Sequence, residues 1–191
     1  MSKVSLSRLL AFWSDRDPDK PALTHESVTL TRAELDARTN RLARAYQEIG
    51  VKADDFVTIA VPNSIEFIEA VFAAWKLGAT PQPVSYRLPD HERRQIVALG
   101  NPSLVVGAKP AAHPGTICIE AGFEPDAGLS DAPLPEVTAH YWKAMTSGGS
   151  TGRPKLIVSK DPASADPLEE RFGAKLEQVA LVPGPLYHNG P

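Results

Sequence analysis

A single cysteine, Cys118, leaves this 191-residue sequence no internal disulfide. Nothing else in it asks for an oxidising compartment, and within Thr116-Ile117-Cys118-Ile119 the thiol reads as a buried structural group rather than a nucleophile. No apolar run approaches the ~18–20 residues that a membrane span needs. The start, Met1-Ser2-Lys3-Val4-Ser5-Leu6, lacks the long apolar stretch and small-residue cleavage site of a signal peptide. These absences predict a cytoplasmic protein. Excess charge of one sign is missing too: a formal net charge of -3 offers no basic field to nucleic acid or acidic lipid. There is no internal repeat and no low-complexity tract.

What is present is an ordinary globular composition, 42% apolar and 23% charged, with an unusual 18 prolines. The region from Pro110 to Pro135 is expected to be an exposed, loop-rich segment in which Ile117, Ile119 and Phe123 remain available for packing. Leu6, Leu9, Leu10 and Trp13 predict a helix over 4–15, which the prolines of 15–21 end. Thr31 and Glu34 form a capping box for a helix over 31–49 that buries Leu35, Leu42, Tyr46 and Ile49 and stops at Gly50. Residues 56–61 predict a buried strand. Ser64 caps a second helix whose apolar face is Ile65, Ile68, Val71, Phe72 and Trp75, ending at Gly78. A strand over 80–85 is restricted by Pro81 and Pro83 to an edge or an irregular position. A short helix opens at Pro89-Asp90 and ends at Gly100, and short strands follow over 103–107 and 116–120. Strands alternating with amphipathic helices predict an α/β fold, a layered sheet with helices on its faces.

The most informative stretch runs from Met145 to Val158. Apolar residues flank it on both sides, so the loop is expected to join two strands. Gly148, Gly149 and Gly152 allow close backbone approach to a ligand. Ser147, Ser150 and Thr151 supply hydroxyls, backbone amides can form an anion-holding nest, and Lys155 adds a mobile positive charge. Donors and a cation converging without a nearby acid suit a polyphosphate, although a plain flexible turn has the same composition. Arg153-Pro154 between Gly152 and Lys155 excludes a Walker A loop, which places lysine directly after its last glycine.

The run Ser147-Gly148-Gly149-Ser150-Thr151-Gly152-Arg153-Pro154-Lys155 resembles the phosphate loop of the adenylate-forming superfamily, with its pattern S/T-S-G-S/T-T-G-x-P-K. Gly148 stands where many members have serine, and Leu156 where glycine or alanine is common. The stretch from Leu30 to Leu35, Pro62-Asn63-Ser64 and Trp75-Lys76-Leu77-Gly78-Ala79 resembles the superfamily's amino-terminal segment, in the right order. Residues Pro185 to Pro191 are similar to the aromatic-histidine motif beside its acyl pocket. The resemblance implies an AMP-forming acyl-CoA synthetase (a fatty-acid or acyl-CoA ligase) using ATP, Mg2+, a carboxylic acid and coenzyme A. By the same resemblance Ser147, Ser150, Thr151 and Lys155 hold the β- and γ-phosphates. His188 would shape the acyl side and approach the carboxylate, where its residues alone would allow an exposed histidine. Tyr187 is a pocket wall or a packing residue. Residues 1–191 are then expected to be an incomplete amino-terminal adenylation domain, inactive alone, with the rest of that domain and the small carboxy-terminal domain absent. Alternatives are an adenylation domain that loads a carrier protein, or a non-catalytic α/β binding module. The glycine-rich loop is expected to be mobile without nucleotide, and exposed apolar surface to favour self-association.

Overall fold

A computed structural model describes residues 3–147, 154–169 and 178–189. Its centre is a parallel sheet of four strands in the order β5-β4-β6-β7: β4 (Phe56–Ile59), β5 (Thr80–Pro83), β6 (Leu104–Val106) and β7 (Ile117–Ile119). Three antiparallel pairs surround it. They are β1 (Val4–Ser5) with β10 (Ser164–Ala165), β2 (Pro21–His25) with β3 (Val28–Thr31), and β8 (Ala144–Ser147) with β9 (Lys155–Val158). The helices are α1 (Leu6–Ser14), α2 (Arg32–Ile49), α3 (Ile65–Lys76) and α4 (Asp90–Gly100). Among the described residues no helix is long and apolar enough to cross a membrane.

The chain leaves β4 for β5 in one direction and then crosses back over β4 to β6 in the other. Right-handed crossovers in opposite directions put their helices on opposite faces. Alternate residues of β6 record this: Leu104 and Val106 join Val57, Ile59, Phe67 and Ala70 beneath α2 and α3, while Val105 packs with Val97 of α4. The α4 face also carries a buried polar contact, in which the Thr58 hydroxyl donates to Gln82 Oε1 at 2.9 Å. Of the edge or irregular position expected for 80–85, the edge holds, since among the described residues β5 pairs only with β4. There the missing N–H groups of Pro81 and Pro83 cost no second ladder.

Helix α2 starts and stops as its sequence predicts. Thr31 Oγ1 accepts from Glu34 N at 3.2 Å, Glu34 Oε2 accepts from Thr31 N at 2.8 Å, and Gly50 closes the helix at φ +113. Its polar residues do more than face water. Asn40, Arg41 and Arg44 donate to the carbonyls of Asp131, Leu129 and Ala132 at 2.9, 3.1 and 2.7 Å, pinning the proline-rich segment to the helix.

Three expectations need correction. In α3 the innermost residues are Phe67, Ala70, Ala73 and Ala74, whereas Ile65, Ile68, Val71, Phe72 and Trp75 are only half-buried. The helix is covered on more than one side: alanines let its axis approach the sheet, Ile68 and Val71 pack against the same main core, and Ile65, Phe72 and Trp75 turn towards α1 and the 139–142 segment. Ile117 is exposed rather than packed, because β7 ends the sheet; Ile119 and Phe123 do reach the core. The hairpin of β2 and β3, and the short pair β1 and β10, have no counterpart among the elements expected from sequence. The hairpin turns at Glu26, a non-glycine residue with φ 53, where no glycine or proline marks the bend.

Candidate functional site

The glycine-hydroxyl segment lies in the expected place, between two strands. β8 and β9 are antiparallel with Ser147 opposite Lys155, so residues 148–153 connect the two strands at that end. Gly148, Gly149, Ser150, Thr151 and Gly152 themselves lie outside the described residues, as does the expectation that their loop is mobile. The structure therefore fixes the two ends of the loop. Lys155 is exposed, and among the described residues its ammonium has no ion-pair partner. At the other end the buried Thr146 hydroxyl has no hydrogen-bond partner among the described residues. An unneutralised cation beside a glycine-rich connection fits an anionic ligand; Thr146, opposite Leu156, belongs to the other face of the hairpin from Lys155.

The hairpin is fastened to the main body by the residues before it. Trp75 Nε1 donates to Trp142 O at 2.8 Å, and the Thr80 hydroxyl donates to Tyr141 O at 3.2 Å, at the first residue of β5. Lys143 lies over the Trp142 ring, 4.0 Å from its centroid, and its Nζ donates to Asn189 Oδ1 at 2.5 Å. Burial lowers the Lys143 pKa.

That contact ties the strand leading into the loop to the Tyr187-His188-Asn189 turn. Asn63 is the second tie. Its Nδ2 donates to Gly184 O at 2.8 Å and its Oδ1 accepts from Leu186 N at 2.9 Å, so one side chain replaces a backbone strand partner. Leu186 then packs against the main core. Tyr187 meets Tyr86 edge-on at 6.4 Å between centroids and His188 at 4.7 Å. His188 is exposed, and its backbone N–H donates to Pro185 O at 3.0 Å.

Asn63, Tyr86 and Gly107 follow the carboxyl ends of β4, β5 and β6. The strand order reverses between β4 and β6, and open α/β sheets take their ligands at the carboxyl ends beside such a reversal. The 184–189 turn is thus held at the crevice where this architecture accommodates ligands. Sequence reasoning does not single out Asn63, Tyr86, Lys143 or Asn189 as site residues. Asn63 stands in a recognisable Pro-Asn-Ser turn, but its partner lies 121 residues away. Cys118 has no place at this site: it is half-buried beside α4, with its pKa raised chiefly by burial.

The chain is similar to known proteins in sequence and in fold. The chain is 37% identical over 163 residues to malpibaldin synthetase of Mortierella alpina, covering 80% of this chain and 3% of the relative. It is 30% identical over 166 residues to tyrocidine synthase 3 of Brevibacillus parabrevis, covering 81% and 2%. The fold matches that of O-succinylbenzoate coenzyme A synthetase (MenE) from Bacillus subtilis in complex with AMP. There the TM-score is 0.72 at 21% identity, with 82% of this chain and 42% of that one covered. The chain therefore spans less than half the length of each of these proteins. The family described as AMP-binding enzyme matches residues 10–190, from within α1 through the hairpin to the 184–189 turn, and this chain belongs to that family of adenylate-forming ligases.

Proposed function

We propose that this chain is part of the amino-terminal domain of an enzyme that activates a carboxylic acid with ATP. In this reading a carboxylate oxygen attacks the α-phosphorus, forming an acyl-adenylate and releasing pyrophosphate, and a thiol then displaces AMP to give a thioester. Ser147, Ser150, Thr151 and Lys155 hold the β- and γ-phosphates, with Gly148, Gly149 and Gly152 giving the backbone room to approach. Fixed donors and a cation stabilise the charge that builds on the departing pyrophosphate. Magnesium accompanying ATP supplies further charge neutralisation. His188 and Tyr187 face the acid, held in place by Asn63 and Lys143. The observation that carries the reading is the hairpin mouth, where Lys155 stands exposed beside a glycine-hydroxyl connection in a chain of the AMP-binding enzyme family.

The accepting thiol in our first reading is coenzyme A, which would make the whole protein an acyl-CoA synthetase of the cytoplasm. A second reading, in which the thiol is carried by a carrier protein, is favoured by relatives that include adenylation domains of nonribosomal peptide synthetases.

Equilibrium ATP binding tests the first step. Lys155→Ala is expected to weaken affinity by about tenfold or more, the loss of one charge-assisted hydrogen bond. Equal ATP affinity of the variant and parent would refute the phosphate role. Acid-dependent exchange of labelled pyrophosphate into ATP, measured in a protein carrying the whole AMP-binding domain, tests the chemistry. Trapping the product with coenzyme A or with a phosphopantetheinyl carrier separates the two acceptors.

A further inference from the structure

A cavity of about 230 Å³ opens between α2, α3 and the loop after β7, and none of its lining residues belongs to the hairpin or the 184–189 turn. Leu42, Ile119 and Phe123 supply the apolar part of a lining that also carries Arg38, Arg41, Glu66, Glu69 and Glu124. Its charges are unevenly committed. Arg38 pairs with Glu69, and Arg41 is held by Asp131 at 3.0 Å and by the carbonyl of Leu129. Glu66 has no such cation. Its Oε1 accepts from Gly122 N at 3.0 Å, and no ammonium or guanidinium among the described residues pairs with it.

The second observation is Tyr46, a lining residue only 1% exposed. No hydrogen bond to its hydroxyl is found among the described residues, and the group lies in the field of Glu66 and Glu69, which line the same cavity. The enclosed side-chain atoms without a partner among the described residues are on Arg93, His113 and Thr146, not Tyr46, so the phenol oxygen keeps access to the cavity that Tyr46 lines, free to accept from a ligand donor. With both guanidiniums engaged, a half-buried carboxylate and an accepting phenol beside the apolar part of the lining call for a cation with an apolar body.

We propose that this cavity binds a small primary ammonium compound, its N–H groups donating to Glu66 and to the Tyr46 oxygen while its apolar part lies on Leu42 and Phe123. The volume is below the range of about 300–1,000 Å³ usual for drug-sized ligands, so the occupant is a small amine of one ring or a short alkyl chain. Burial and the neighbouring Glu69 both disfavour charge on Glu66, and a bound cation relieves both effects.

The test compares phenethylammonium, its neutral counterpart 2-phenylethanol and the anion phenylacetate, each titrated into the chain while the amide resonances of Gly122 and Phe123 are followed. The ammonium is expected to shift the Gly122 amide and to bind about tenfold more tightly than either analogue. Glu66→Gln, close in shape to the parent residue, should erase that preference. Equal affinity for all three ligands, or an unmoved Gly122 amide at saturating amine, would overturn the proposal. Should Glu66→Gln fail to fold, the three-ligand series on the parent chain decides alone.

Discussion

Lys76 is 4% exposed, yet its Nζ donates to Asp36 Oδ1 and Asn40 Oδ1, each at 2.6 Å. Burial lowers its pKa, and the attraction of Asp36 works against that shift. Such a pair is costly to break and cheap to replace, because removing one partner leaves the other charge buried and alone. Lys76→Ala is therefore expected to lower the unfolding free energy by about 3–5 kcal/mol, whereas Lys76→Met combined with Asp36→Leu should recover most of it. Urea denaturation checks both, and equal losses for the two variants would contradict the account. Glu66 poses the opposite case. Its folded pKa is raised above 4.5, by burial first and Glu69 second, against the Gly122 amide. Its stabilising contribution is thus fully present below 4.5 and is lost as pH rises through the higher folded value. Relative to Glu66→Gln, the parent should lose stability as pH climbs from 4.5 towards neutrality, which urea midpoints at several pH values would register.

Helix α2 and the sheet end at β6 show what an element requires of single positions. Thr31 closes the capping box from outside the helix, so Thr31→Ala should cost about 1 kcal/mol, read by thermal or urea unfolding. Two glycines at positive φ differ in their surroundings. An added Cβ at Gly50 meets nothing within 4 Å, so Gly50→Ala incurs only backbone strain, about 1–2 kcal/mol. At Gly107, φ +84, the same atom would come within 2.6 Å of the Ala60 carbonyl oxygen, which no rotamer change can move. Gly107→Ala should be clearly the more destabilising in parallel melts; the reverse order would mean that the β4 and β6 ends do not approach as described.

Over the whole molecule, an apolar surface is left bare. Val179 and Leu181 are 99% and 89% exposed, on a stretch that pairs with no strand among the described residues. Light scattering should show the chain self-associating as concentration rises, and Val179→Lys with Leu181→Lys should suppress it. A parent chain that stays monomeric over the whole range would count against this surface being sticky.

The elements with strong local signals are legible in the sequence: the Thr31–Gly50 helix, the strand at 56–59, the edge or irregular strand at Pro81 and Pro83, and a two-strand frame for the glycine-hydroxyl loop. Capping, proline geometry and hydrophobic period act within a few residues, so sequence alone determined them, along with the α/β class and the phosphate-loop resemblance. Tertiary structure decided the rest. Which side of α3 is innermost, how Asn63 replaces a strand partner for 184–186, and that Lys76 faces Asp36 all depend on contacts 36 to 123 residues apart along the chain. Such contacts leave no local period in the sequence, because a side chain's partner is chosen by how layers pack rather than by its neighbours.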